Sequence, residues 1–153
     1  MREDVGVPMA ELAQFEAFVP KDHGLAVMTV IGPDGRMRPS VVNVGVLDHP
    51  LTGARVVGAV VQGGARKLVN LRERPRVSVV LRAGWQWAAV EGPAEIIGPD
   101  DPAAGIGPDR LRLLLREIFI SAGGQHEDFD TYDSVMAAER RAAVLITPER
   151  VFG

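Results

Sequence analysis

The stretch Gln62-Gly63-Gly64-Ala65-Arg66-Lys67 divides a predicted strand from a predicted helix. Upstream, Arg55 to Gln62 is short, apolar and β-branched, which suits a strand. Downstream, Ala65 to Arg74 reads as a short helix with Leu68 and Leu71 on its buried face, stopped by Pro75. Two cations fall in the first helical turn, where the positive end of the dipole repels them. A bound anion removes that conflict, because free N–H groups, the dipole and both side chains then converge on one negative ligand. A solvated turn carrying two surface cations accounts for the same residues. The segment is not a P-loop, since the G-x-x-x-x-G-K spacing is missing.

Outward from this junction the chain predicts more strands. Leu25 to Ile31 is apolar on both alternating faces, as in a strand covered on each side. Gly32-Pro33-Asp34-Gly35 suits a type I turn, and Met37 to Leu47 then returns antiparallel, with Pro39 marking an edge or a bulge. Val77, Val79 and Leu81 lie on a fourth strand, Ala83-Gly84 turns the chain, and Trp85 to Ile97 is a fifth. Ala142 to Ile146 is the last strand. Helices are predicted around Met9, Leu12, Phe15 and Val19, from a cap at Asp109 to Gly123-Gly124, and through Tyr132, Val135, Met136 and Glu139. Six strands, mostly hairpin-linked, with helices inserted late, predict a mainly β single domain over 1–153: a six-stranded antiparallel barrel with flanking helices.

The bulk properties narrow the function. An apolar fraction of 46% and a charged fraction of 24% over 153 residues are ordinary for one globular domain. The absence of cysteine excludes a disulfide scaffold, a thiolate metal site and a cysteine nucleophile, and is compatible with the cytoplasm. Met1-Arg2-Glu3-Asp4 leads into no apolar run, so no secretory signal is read, and no apolar stretch reaches membrane-spanning length. A net charge of −3 with scattered cations argues against a nucleic-acid partner. His23, His49 and His126 stand apart without metal-ligand spacing, so no metal site is expected. Asp100-Asp101 and Glu127-Asp128 read as solvated loop acids, and no Ser, His and Asp arrangement forms a triad. Trp85 and Trp87, two apart, present their rings on one strand face and suit a flat aromatic ligand, an oligomer interface or the core.

These segments together resemble the pyridoxamine 5'-phosphate oxidase-like split β-barrels. The carriers are the Gly-Gly junction, Ala65-Arg66-Lys67, Asn70-Leu71 and Pro75-Arg76. Within that superfamily the chain is most similar to the deazaflavin (coenzyme F420)-dependent reductase branch, through Gly84-Trp85-Gln86-Trp87, Val90-Glu91-Gly92, the segment from Gly123 to Phe129, Met136 with Glu139-Arg140-Arg141, and Pro148 to Gly153. The resemblance implies a cytoplasmic homodimer with two cofactors at the interface and a small-molecule substrate. It places the cofactor phosphate on Arg66 and Lys67, backbone contacts on Gln62, Gly63, Gly64 and Ala65, and Ser40, Val41 and Asn43 beside the ring system. Trp85 and Trp87 would close the site from the partner subunit, whereas His126, Arg140 and Arg141 would be structural or dimer-related. The implied chemistry is hydride transfer from reduced F420 to an unsaturated organic substrate, with the difficult step supplied by the cofactor. An FMN-dependent oxidoreductase on the same barrel, and a non-catalytic cofactor- or small-molecule-binding protein, are the alternatives. No catalytic residue is identified.

Overall fold

Alternation of inward and outward side chains closes six strands into a barrel, seen in a computed structural model that describes residues 7–153. The charged start, Met1 to Asp4, lies outside the described residues. The strands are β1 (Leu25–Ile31), β2 (Met37–Asp48), β3 (Arg55–Val61), β4 (Arg76–Ala83), β5 (Gln86–Ile97), β6 (Ala142–Ile146) and a short β7 (Arg150–Phe152). The pairing order β4-β1-β2-β3-β6-β5 returns from β5 to β4, and every pair is antiparallel. β7 adds outside the ring along β5, an element not expected from the sequence.

Inward residues build the main core. Met28, Val44, Val57, Ala59, Val79, Val90, Val144 and Ile146 are all buried within it. Helix α1 (Met9–Glu16) contributes Leu12 and Phe15 to this core but leaves Met9 exposed. Helix α2 (Arg66–Glu73) inserts Leu68 and Leu71, both essentially without solvent contact. Truncating either leucine to alanine costs about 2–5 kcal/mol on general grounds, so α2 is firmly anchored.

Strand β2 changes partner half-way. Residues 37–43 pair with β1, whereas 44–48 pair with β3. The first half, which contains Pro39, therefore has a ladder on one side only, where a residue without N–H is tolerated. β3 ends at Val61, and the chain turns through the two glycines into α2.

Two further helices lie outside the barrel. α3 (Pro108–Ser121) crosses β2 and β3, and α4 (Phe129–Ala138) packs beside it. A second cluster, including Val56, Leu114, Ile118 and Leu145, seals α3 to the sheet. The close approach requires glycine at two outward positions. A Cβ on Gly45 would lie 1.9 Å from Ser121 Oγ, and one on Gly58 would lie 3.1 Å from Ile118 Cγ1. Gly107, not Asp109, is the N-cap of α3, with Pro108 and Asp109 in its first turn. Asp128 caps α4 by accepting from Thr131 N–H at 3.2 Å.

Candidate functional site

Helix α2 begins against every ordinary rule. Its N-cap residue, Ala65, offers no side-chain acceptor, no acid stands in the first turn, and Arg66 and Lys67 occupy that turn instead. The amides of Gly64, Arg66 and Lys67 meet no acceptor among the described residues. Partial burial lowers the pKa of the Lys67 ammonium, and no carboxylate among the described residues offsets this. A half-buried cation beside free amides is a donor set that an anion would satisfy.

The two glycines play different parts. Gly63 is wedged against the corner between α4 and β6: its N–H donates to Glu139 O at 3.1 Å, and a Cβ there would stand 2.4 Å from Arg140 O. Gly64 has open space where a side chain would be. Arg140 holds this corner with a left-handed φ of 51°. Its guanidinium pairs with Asp100, and the adjacent Asp101 accepts from Arg72 of α2 at 2.7 Å. Thus Asp100-Asp101, expected to face water, tie α2 to the α4–β6 corner.

A cavity of about 620 Å³ lies between the outer face of β2 and β3 and the ends of α3 and α4. Asn43 and Val60, each one residue beyond the Val44–Ala59 pair that begins the β2–β3 ladder, form its floor, with Tyr132, Met136 and Arg141 among its walls. Asn43 donates Nδ2–H to His23 O at 2.8 Å, which leaves Oδ1 without a partner among the described residues. Burial pushes the Tyr132 phenol up to about 12, so it stays protonated and donates to Leu115 O at 3.2 Å. From Val60, three residues of extended chain lead to Gly63, roughly 10 Å at strand spacing. The anion segment thus follows within a few residues of this groove along the chain, although none of residues 62–67 lines it.

The expected site residues divide accordingly. Gln62, Gly63, Gly64, Ala65, Arg66 and Lys67 lie together at the α2 end, and Asn43 lies in the cavity. Ser40 belongs to the inward set opposite Met28, while Val41 points outward and is 66% exposed. Trp87 lies on β5 at the level of Asn43 but three strands away, about 14 Å around the barrel. Trp85 is not on a strand: it sits in the β4–β5 turn and is 99% exposed. The two indoles therefore do not share a strand face. Val60, His23, Gln125, Met136 and Arg141 were not anticipated as lining residues. Only Val60 had a readable signal, its two-residue spacing from Gln62 on an outward face. Among the described residues no cluster of three or more His, Asp or Glu is arranged for a metal, and no helix is long and apolar enough to cross a membrane.

A closed six-stranded antiparallel barrel flanked, among the described residues, by four helices, with one strand changing partner along its length, is a split β-barrel, the fold shared with a solved pyridoxamine 5'-phosphate oxidase-related protein. No protein-family model matches the sequence. Solved structures share the fold at low identity. One is a conserved hypothetical protein from Mycobacterium tuberculosis, 23% identical, with a TM-score of 0.61 over 99% of this chain and 86% of that one. Another is an F420 reductase, 14% identical, with a TM-score of 0.60 over 95% and 98% of the two chains. A third is a pyridoxamine 5'-phosphate oxidase-related, FMN-binding protein from Nostoc punctiforme, 13% identical, with a TM-score of 0.64 over 94% and 81%.

Proposed function

We propose that the chain is an oxidoreductase that binds a phosphate-bearing flavin-type cofactor, F420 in the first place, and acts on an unsaturated organic substrate. The observation that carries this proposal is the start of α2, where Arg66, Lys67 and three neighbouring amides have no acceptor or counter-charge among the described residues. In this reading Arg66 and Lys67 hold the phosphate, and Gly64 lets it approach the backbone. Asn43 and Val60 bed the ring system, and Tyr132 and Met136 restrict water around it. When bound, the cofactor supplies the hydride. The protein's share is position, and the high pKa of Tyr132 makes its phenol a fixed donor, not a base, near neutral pH.

The same proposal includes a homodimer. Leu25, Val27 and Val41 form a bare apolar strip on the outer face of β1 and β2, each more than 40% exposed. Apolar strips of this kind mark contact surfaces. Trp85 and Trp87 are too far around the barrel to reach Asn43 within one chain, so they close a site only from a second copy.

The test is direct. Purified protein is titrated with F420 and with FMN, and each affinity is measured by fluorescence. Lys67→Ala is expected to weaken cofactor binding by about tenfold or more, as loss of a charge-assisted contact does. Unchanged affinity would remove the site assignment. A yellow protein as purified, with preference for FMN, would move the cofactor from deazaflavin to flavin.

A further inference from the structure

A second cavity, of about 500 Å³, lies outside the groove just described, between α3, α4 and the loop of residues 98–107. Its floor is apolar: Ile97, Ala103, Ile106, Leu111 and Leu115. That volume falls within the range of small-molecule sites. Met136 and Arg141 line this cavity and the one over Asn43 alike, so these two side chains form the wall between them.

Most charges around the cavity are matched, and the exception on its lining is Asp109, which has no partner among the described residues. Asp133 receives both Arg112 and Arg116, Arg140 pairs with Asp100, and Arg141 pairs with Glu139. An anion entering here would meet the uncompensated carboxylate of Asp109, whereas a neutral ligand would meet no opposing charge. Arg141 bonds Glu139 through Nε and Nη2, at 2.8 and 2.7 Å. Its Nη1 hydrogens have no acceptor among the described residues, and the guanidinium has no acceptor atoms of its own. The wall therefore offers a donor to an oxygen while the floor offers apolar contact.

We propose that this cavity is a binding site for a small, neutral, largely apolar molecule carrying one acceptor oxygen, with Arg141 donating to that oxygen and Met136 as the movable divider. Such a molecule is either a compound that acts in the neighbouring groove, reaching it past Met136, or one that stays in the cavity as an effector. Methionine suits a divider because its unbranched side chain changes rotamer at low cost.

The probes are benzylacetone, its hydrocarbon counterpart butylbenzene, and its anionic counterpart hydrocinnamate, each titrated into the cofactor-free protein and followed by amide NMR. Benzylacetone is expected to shift resonances in 98–107, Met136 and Arg141, and to bind more tightly than either counterpart. Arg141→Met is expected to weaken benzylacetone about tenfold and leave butylbenzene unchanged. Ala137→Trp, at an exposed helix position lining the cavity, is expected to abolish binding of both. Shifts confined to other surfaces, or binding undiminished in Ala137→Trp, overturn the proposal. Equal affinity of benzylacetone and butylbenzene overturns the role of Arg141. Cofactor titration of the same variants separates the two sources. A ligand that acts in the groove changes cofactor fluorescence in the wild type and not in Ala137→Trp, whereas an effector confined to the cavity leaves it unchanged in both. The probes bind without cofactor, so failure of the oxidoreductase proposal would leave this result standing.

Discussion

Gly63→Ala and Gly64→Ala form a matched pair that separates packing from backbone entropy at the anion segment. Neither glycine has a left-handed φ, so alanine is not excluded by conformation at either position. The difference is space. At Gly63 the new methyl would lie 2.4 Å from Arg140 O and 2.7 Å from Arg140 Cβ, and the nearer contact is backbone that no rotamer change can move. Overpacking of this kind costs about 1–3 kcal/mol. The shift also stretches the Gly63 N–H bond to Glu139, about 1 kcal/mol more. A total of about 2–4 kcal/mol corresponds to a fall in Tm of roughly 4–16 °C for a chain of this size. At Gly64 nothing lies within 4 Å, so alanine is expected to be neutral or to stabilise by about 0.4–1 kcal/mol through the unfolded chain. Thermal unfolding of the two variants beside the wild type is the assay, with urea denaturation to confirm an unchanged m-value. If Gly63→Ala unfolds at the wild-type temperature, the wedge against Arg140 is not a real constraint on the turn.

Three further outcomes follow from the same geometry. Bonds from Arg116 and Arg112 hold Asp133 below its usual carboxylate pKa. A depressed native pKa contributes stability above the unfolded value near 3.8, lost as pH falls through the native one. Denaturation between pH 5 and 2 should therefore show a shallower acid loss in Asp133→Asn than in the wild type, and an identical loss would remove Asp133 from the network. Trp85→Ala, at an almost wholly exposed side chain, is expected to keep Tm within about what a 0.5 kcal/mol surface change allows while weakening self-association in light scattering; an unchanged dimer would detach Trp85 from the interface. Arg66→Glu is expected to stabilise the cofactor-free protein by about 0.3–1 kcal/mol, by placing an acid at the helix start, and to weaken cofactor binding. Tighter or equal binding would refute the anion site.

Local signals carried much of the fold. The turn Gly32-Pro33-Asp34-Gly35 closes as expected, with Gly35 N–H donating to Gly32 O at 3.0 Å, and the alternation in β4 buries Val77, Val79 and Leu81. Leu68 and Leu71 lie where the spacing put them. Misread features depend on neighbours distant in sequence. Trp85 continues an aromatic, strand-like pattern, yet the chain needs that residue to complete the reversal after Ala83 and Gly84, so pairing starts at Gln86. Gly45 and Gly58 look like weak points within strands until α3, more than 50 residues further on, is laid across them. The same separation hid the cavity over Asn43, because its walls come from α3 and α4 and its floor from β2 and β3. Arg141 carried no local signal at all: its neighbours Glu139 and Arg140 make it look like one of a run of paired surface charges.

The start of α2 is where sequence-level rules and the observed structure disagree most, and the disagreement is informative. An uncapped N-terminus with two cations opposes helix formation, yet the helix forms because Leu68 and Leu71 fix it from the barrel side. The stabilising and destabilising groups alternate along one short segment, with Gly63 locked, Gly64 open, Arg66 and Lys67 unpaired among the described residues, and Leu68 buried. Were the segment only a connection, an acid at the exposed position 66 would serve it better at no cost to the core. Local choices that contradict local stability persist where a ligand supplies the missing partner. Two cations at a helix start are ordinary where acids pair with them; Arg66 and Lys67 have no such partner among the described residues.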